Sequence, residues 1–134
     1  MTAKEYLSQA RLLDLQINAK ITQVEQLNLL ARKCTATISN MPKNLDRGVS
    51  RLEDTVCRIV DLQEEINRDI DRLVDLKCEI TKCVKAVPDM EYRVILEKRY
   101  LCFMSWNEIA RDMQYTIRHL YRLHDRALEN IAVP

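Results

Sequence analysis

The amino-acid sequence predicts an all-α protein, in which a long antiparallel coiled-coil helical hairpin is followed by a C-terminal three-helix helix-turn-helix unit. Three observations favour this fold class. The 134 residues include one Gly and three Pro, too few for the turns of a sandwich, a barrel or a Gly-rich phosphate loop. Charged residues make up 31% and aromatic residues 5%, which is typical of long amphipathic helices. Apolar residues also recur every seven positions through two long segments, which indicates coiled-coil helices.

The first predicted helix covers residues of about 2–39, a stretch without Gly or Pro. It begins at Thr2-x-x-Glu5, a capping box in which each side chain can satisfy a backbone donor of the first turn. The seven-residue series that follows is Ala10, Ile17, Val24, Ala31 and Ile38, with Leu13, Leu27 and Cys34 three positions after its members and Lys20 as the polar exception.

The second predicted helix covers residues of about 50–87. The segment 40–48 contains Pro42 and Gly48 and is predicted to be the loop that precedes it. Ser50-x-x-Glu53 is a second capping box, and Pro88 ends the pattern. The repeat consists of Leu52, Ile59, Ile66, Leu73, Ile80 and Val87, supported by Val56, Leu62, Ile70, Leu76 and Cys83. Two helices of similar length joined by a short loop favour an antiparallel hairpin over residues 1–88, with a parallel dimeric coiled coil as the alternative.

Some apolar residues of both helices lie outside the seven-residue series. They are Leu12, Leu15, Leu29, Cys57, Val60, Val74 and Cys78. Scattered apolar residues are common on protein surfaces, but they can also form a second contact face for the C-terminal unit or for another subunit. We favour the second interpretation, which makes a homodimer a candidate assembly.

Residues 89–134 differ in composition from the preceding residues. Four of the five Tyr, the only Trp and the only Phe lie in the last third of the chain. Aromatic residues suit compact cores better than narrow coiled-coil seams. Asp89 is predicted to cap a helix over about 90–102, and Ser105-x-x-Glu108 to open a short helix over about 106–113. Thr116 is the predicted cap of a last helix that ends near residue 130. We therefore expect a second domain at 89–134.

The last two of these helices match a helix-turn-helix, in which two short helices cross at a steep angle. Ala110 supplies the small residue at the crossing, and Ile109, Met113, Tyr115, Leu120 and Leu123 occupy the five core positions. Gln114 stands in the turn, where Gly is common because a positive φ is convenient there. The outward residues are then candidates for contacts with DNA in the major groove. The candidate DNA-binding residues are Thr116, Ile117, Arg118, His119, Tyr121, Arg122 and Arg126 of the last helix, with Ser105 and Asn107 at the start of the preceding one.

The run 92–128 resembles the DNA-binding region 4 of sigma-70-type factors, which recognises a promoter element. The residues that carry the resemblance are Tyr92, Arg93, Leu96, Arg99-Tyr100, Ser105, Glu108-Ile109-Ala110, Thr116 and Arg126-Ala127-Leu128. In that family the positions of Ile117, Arg118, Tyr121 and Arg122 contact DNA. Ile117 and Tyr121 stand where charged residues are frequent, so the family's target sequence does not carry over. The first 87 residues leave no counterpart of the DNA-melting region of a complete sigma factor.

Over nearly its full length the chain is similar to small late-gene transcriptional regulators of the ArpU and RinA type from phages and prophages. That resemblance implies a DNA-binding regulator in the cytoplasm of a bacterial host cell, with double-stranded promoter or operator DNA as its partner and RNA polymerase as a further candidate partner. A small terminase subunit, which also joins a helix-turn-helix to coiled-coil helices, is the alternative. A coiled-coil interaction module that does not bind DNA is the third interpretation.

Other function classes find little support in the sequence. The net charge is +1, so any basic surface must be local. No apolar run of membrane-spanning length and no signal-peptide pattern is present, so no membrane association is predicted. Five Cys without CxxC spacing and two His indicate reduced thiols and neither a metal site nor a cofactor. His124 and Asp125 point about 100° apart on a helix, and no nucleophile accompanies them, so no enzyme is predicted.

Overall fold

A computed structural model describes the backbone of residues 1–40 and 45–134 and the side chains of residues 1–35 and 49–134. The described residues contain helices and no strand, which confirms the all-α fold class. In chain order the elements are α1 (Ala3–Asn40), α2 (Leu45–Lys85), α3 (Met90–Leu96), the π-helical turn Glu97–Leu101, α4 (Trp106–Met113) and α5 (Ile117–Asn130). In the described part of the chain, every helix is too short or too polar to cross a lipid bilayer.

Helix α1 begins as predicted. The Thr2 N–H donates to Glu5 Oε2 at 3.0 Å, and the Glu5 N–H donates to Thr2 Oγ1 at 3.2 Å. These two bonds are the reciprocal pair of a capping box, and they satisfy two donors that the first helical turn leaves free. The predicted seam residue Ile38, near the other end of α1, lies outside the described side chains.

Helix α2 begins earlier than predicted. Its first residue is Leu45, so the start at Ser50 and the capping box Ser50-x-x-Glu53 are wrong. Gly48 lies inside the helix, where a single Gly costs about 1 kcal/mol. Packing along the seam supplies most of the stability of such a helix and outweighs this cost. Residues 41–44 of the predicted loop 40–48 lie outside the described residues.

The chain divides into two compact units, of which one is Leu15–Asp71. In this unit α1 and α2 pack as antiparallel partners within one chain, with Ile17, Ile59 and Ile66 buried. Lys20 Nζ donates to Asp69 Oδ2 at 2.6 Å and lies 3.4 Å from Glu65 Oε2. The predicted polar exception in the seam of α1 thus faces a buried carboxylate in the seam of α2. The hydrogen bond to Asp69 raises the pKa of the Lys20 ammonium.

The seam of α2 consists of its main seven-residue series and of the positions three residues after each member of that series. Asp69, three residues after Ile66, is buried, whereas Val56 and Ile70 are 46% and 41% exposed. The prediction that these two apolar residues support the seam is wrong. They follow the main series by four residues and therefore lie one position outside the narrow a/d contact of a coiled coil.

The other unit comprises Met1–Asp14 and Arg72–Pro134. Its main core joins the start of α1, the end of α2, α3, the π-helical turn, α5 and the residues after it. The buried members are Tyr6, Leu7, Ala10, Ile80, Val84, Val87, Leu96, Tyr100, Ala127 and Ile131. The Tyr6 hydroxyl also donates to Glu79 Oε2 at 3.2 Å. The division of the sequence into the domains 1–88 and 89–134 stays a prediction. In the structure, the start of α1 and the end of α2 share a core with the C-terminal residues.

The segment that precedes α4 differs from its prediction in one respect. Asp89 caps α3 as predicted, because its carboxylate accepts from the Glu91 N–H at 2.9 Å. The expected continuous α-helix over about 90–102 is α-helical only to Leu96 and then π-helical over Glu97–Leu101. Such wide turns are rare, and they often occur at functional sites.

Candidate nucleic-acid interface

Helices α4 and α5 both begin at their predicted caps. Ser105 Oγ accepts a hydrogen bond from the Glu108 N–H at 3.2 Å, and Thr116 Oγ1 accepts one from the His119 N–H at 3.2 Å. Ser105 and Thr116 have extended backbone conformations, as N-caps do. The sequence therefore sets where each helix of the helix-turn-helix starts.

The turn between these helices is built on Gln114. Its φ of 58° and ψ of 40° lie in the left-handed region, which Gly enters most easily because it has no Cβ. The Tyr115 N–H donates to the Ala110 carbonyl at 3.0 Å and closes the turn. Gln114 therefore adopts the positive φ that makes Gly common at this position, although it is not a Gly.

The predicted core positions of the helix-turn-helix form one cluster. Ile109, Ala110, Leu120 and Leu123 are buried in it together with Ile95 of α3, and Met113 and Tyr115 are partly buried against it. Each predicted core residue is thus confirmed. Because these side chains turn inward, the opposite face of α5 is left to solvent.

All nine candidate DNA-binding residues have exposed positions. They are Ser105 and Asn107 at the start of α4, Thr116 before α5, and Ile117, Arg118, His119, Tyr121, Arg122 and Arg126 on α5. Ile117 and Tyr121 are 37% and 45% exposed. The structure thus brings the candidates of α5 onto an accessible surface, which we name the α5 outer face.

The three arginines of the α5 outer face form a stripe. Arg118, Arg122 and Arg126 are four residues apart and therefore lie along one side of the helix, over about 12 Å of its axis. Among the residues that the structure describes, none of the three forms an ion pair with a carboxylate. Their charges are available to an anionic partner, although the net charge of the chain is only +1.

Two aromatic contacts position residues of the α5 outer face. The ring of Tyr121 meets the ring of Trp106 edge-on at a centroid distance of 5.4 Å, and the ring of His119 meets that of Tyr115 at 4.9 Å. The Tyr115 hydroxyl in turn donates to a carboxylate oxygen of Glu91 on α3, which raises the pKa of Tyr115. Sequence reasoning missed that Trp106 positions Tyr121. The signal that could have shown it is that the single Trp of the chain directly follows the helix cap Ser105.

His124 on the inner side of α5 is buried. Its Nε2 lies 2.7 Å from the Tyr100 hydroxyl, and its ring meets that of Trp106 at 4.5 Å. Burial lowers the pKa of His124 to about 4, against a smaller opposing effect of Asp125. Burial also raises the pKa of Tyr100 to about 12. At neutral pH the pair is therefore a neutral imidazole and a protonated phenol, which suits a hydrogen bond inside the core.

Comparisons of this chain with protein-family models, with curated proteins and with solved structures found no match. Support for a function therefore comes from the residues and their geometry.

Proposed function

We propose that this chain is a sequence-specific DNA-binding transcriptional regulator of phage late genes, with α5 as the helix that enters the major groove. The observation that carries the proposal is the stripe of Arg118, Arg122 and Arg126. These cations are exposed and free of ion pairs within the described residues, and they lie on the second helix of a helix-turn-helix, the element that reads bases in such units.

The residue types of the α5 outer face suit base and phosphate contacts. Arg118 and Arg122 can bond bidentately to guanine or pair with phosphate. Ile117 can pack on a thymine methyl group, and the Tyr121 hydroxyl can bond a phosphate oxygen. Thr116, His119 and Arg126 lie at the edges of this surface.

The start of α4 contributes polar groups of a second kind. Ser105 and Asn107 are exposed there, beside backbone N–H groups that have no partner within the helix. Such helix starts favour phosphate oxygens. We assign these two residues to contacts with the DNA backbone, which set orientation and carry no sequence information.

The phage and late-gene parts of the proposal rest on the resemblance of residues 92–128 to sigma region 4, and on the similarity of the whole chain to ArpU- and RinA-type regulators. On this basis RNA polymerase is the proposed protein partner. The hairpin of α1 and α2 then serves as a spacer or as the surface that polymerase contacts.

A homodimer is the proposed assembly. Exposed apolar side chains occur on both helices of the Leu15–Asp71 unit, at Leu15, Leu29, Leu30, Val56, Val60 and Ile70. A second copy that covers them would also supply a second α5, and paired recognition helices read two half-sites of an operator. Sedimentation equilibrium at tens of micromolar tests this assembly, and a monomer at that concentration contradicts it.

Binding-site selection from random duplexes with the purified full chain is the first test of DNA binding. We expect a recovered consensus, and footprinting on that site should show major-groove protection, with and without RNA polymerase. The double variant Arg118→Ala, Arg122→Ala then tests the helix. A base-reading arginine contributes about 1–3 kcal/mol of specific binding, so the variant should bind the selected site at least tenfold more weakly.

The matched control is Arg58→Ala, Arg68→Ala, which removes the same charge from exposed positions of α2. It should bind like the unchanged protein, while circular dichroism verifies that both variants remain folded. If the α5 variant binds as tightly as the control, α5 is not the recognition helix. A ring of many copies would favour the small terminase subunit, and the absence of salt-sensitive binding to any duplex would favour an interaction module.

A further inference from the structure

We propose that a pocket between the start of α1 and the π-helical turn binds a phosphate group, and that the DNA backbone supplies it. The lining residues are Lys4, Ser8 and Arg11 of α1 with Arg99, Tyr100 and Trp106. Lys4, Arg11 and Arg99 make this pocket a cluster of three cations, and we name it the basic pocket. The choice of DNA as the source rests on the function proposed above.

Within the part of the chain that the structure describes, no carboxylate pairs with the charges of the basic pocket. Among the described residues, Lys4, Arg11 and Arg99 form no ion pair. This charge affects neighbouring groups. Burial and the charge of Arg11 lower the pKa of Arg99, and the charges of Lys4 and Arg99 add to the larger effect of burial that lowers the pKa of His124. An anion in the pocket would relieve this repulsion.

The two guanidinium groups are held in place by the backbone that follows the π-helical turn. Arg11 Nη1 donates to the Phe103 carbonyl at 3.1 Å, and Arg99 Nη1 donates to the Met104 carbonyl at 3.0 Å. Phe103 has a φ of 57°, an unfavourable conformation for a bulky residue. Such strain persists where the surroundings hold it, often at ligand sites. Each arginine keeps further N–H groups for a phosphate oxygen, because a guanidinium has five donors.

Size and position agree with a phosphate of the DNA backbone. The cavity measures about 80 Å³, which is room for several water molecules and for the phosphate group that would displace them. One wall is Trp106, whose ring lies under the Arg99 guanidinium at 4.6 Å and against Tyr121 of the α5 outer face at 5.4 Å. A duplex that contacts Tyr121 therefore passes close to the basic pocket.

The test uses the full chain with the double variant Lys4→Gln, Arg11→Gln, which removes two pocket cations outside the helix-turn-helix. Binding to the selected duplex and to an unrelated duplex is measured from low to moderate salt. Since a phosphate contact is independent of sequence, both duplexes should be bound more weakly by a similar factor. The slope of log affinity against log salt should also fall by about 1–2. Arg58→Gln, Arg68→Gln is the control of equal charge.

A second measurement distinguishes DNA phosphate from free phosphate as the ligand of the pocket. It also distinguishes failure of the pocket proposal from failure of the proposed function. Inorganic phosphate is titrated against the thermal midpoint of the unchanged protein, of Lys4→Gln alone and of the double variant. In one outcome, phosphate raises the thermal midpoint only when Lys4 and Arg11 are present, while the double variant binds DNA as the unchanged protein does. This outcome supports a site for free phosphate and overturns the assignment to DNA. If the double variant binds DNA unaltered and phosphate does not change the thermal midpoint of the unchanged protein, the proposal of a phosphate site in the pocket is overturned. If the unchanged protein binds no duplex, the proposed function fails, and the phosphate titration still decides the pocket.

Discussion

His124 makes the stability of the protein depend on pH, because the pKa of its imidazole differs between the folded and the unfolded chain. His124 is 4% exposed, and burial lowers its pKa from the ordinary 6.5 to about 4, with the Asp125 carboxylate opposing this shift and the charges of Lys4 and Arg99 adding to it. In the unfolded chain the group regains its ordinary pKa. The unfolded state thus binds the proton more readily, so acid favours unfolding. The stabilisation is complete above about pH 6.5 and is lost as the pH falls towards about 4.

The size of the effect follows from the two pKa values. With 6.5 in the unfolded chain and about 4 in the folded protein, the free energy of unfolding falls by about 2 kcal/mol between about pH 7.5 and about pH 5. Carboxylates add their own pH dependence, so a single profile is not enough. The variant His124→Gln removes the titration and retains an acceptor for the Tyr100 hydroxyl, and the difference between the two profiles belongs to His124.

Urea unfolding, followed by the fluorescence of Trp106, measures this difference. The Trp106 ring lies 4.5 Å from the His124 ring, so its emission reports on the same part of the core. His119→Gln, a change at an exposed histidine of the same helix, is the control and should keep the unchanged profile. Equal losses of free energy in the unchanged protein and in His124→Gln between the two pH values would refute the reasoning.

Three further predictions concern stability. Lys20→Met should lower the thermal midpoint, because it removes an ion-pair partner of buried Asp69, whereas adding Asp69→Leu should restore it; a double-mutant cycle without coupling would contradict this. Leu120→Ala should cost about 3 kcal/mol of unfolding free energy, as large-to-small changes at buried sites do, and a cost below about 1 kcal/mol would contradict the core assignment. Gln114→Gly should stabilise by about 1 kcal/mol, because the left-handed conformation costs Gly little, and a lower midpoint in thermal unfolding would contradict it.

The helix-turn-helix is the part of the structure that sequence predicts best. Ser105 and Thr116 cap α4 and α5, and the apolar spacing places Ile109, Leu120 and Leu123 in one core. Caps depend on residues within one turn of each other, and helical periodicity depends on residues three and four apart. Both signals are local, so they can be read without knowledge of the rest of the chain.

The hairpin shows where local signals fail. Ser50-x-x-Glu53 has the residues of a capping box but lies inside α2, which begins at Leu45. Val56 and Ile70 are apolar but exposed. A capping pattern does not act where the preceding residues are already helical, and the seam residues are chosen by the partner helix. At the seam, packing between distant segments overrules the local preference.

The sequence by itself determined the all-α class, the main seven-residue series of α1 and α2, and the register of α4 and α5, because periodicity and capping are properties of neighbouring residues. Only the tertiary structure decided that Lys20 meets Asp69, that the first turns of α1 share a core with α5, and that Lys4 and Arg11 join Arg99 in one pocket. These contacts join residues at least 49 positions apart in the chain. No pattern of spacing along the chain can specify them, since they depend on how whole helices pack.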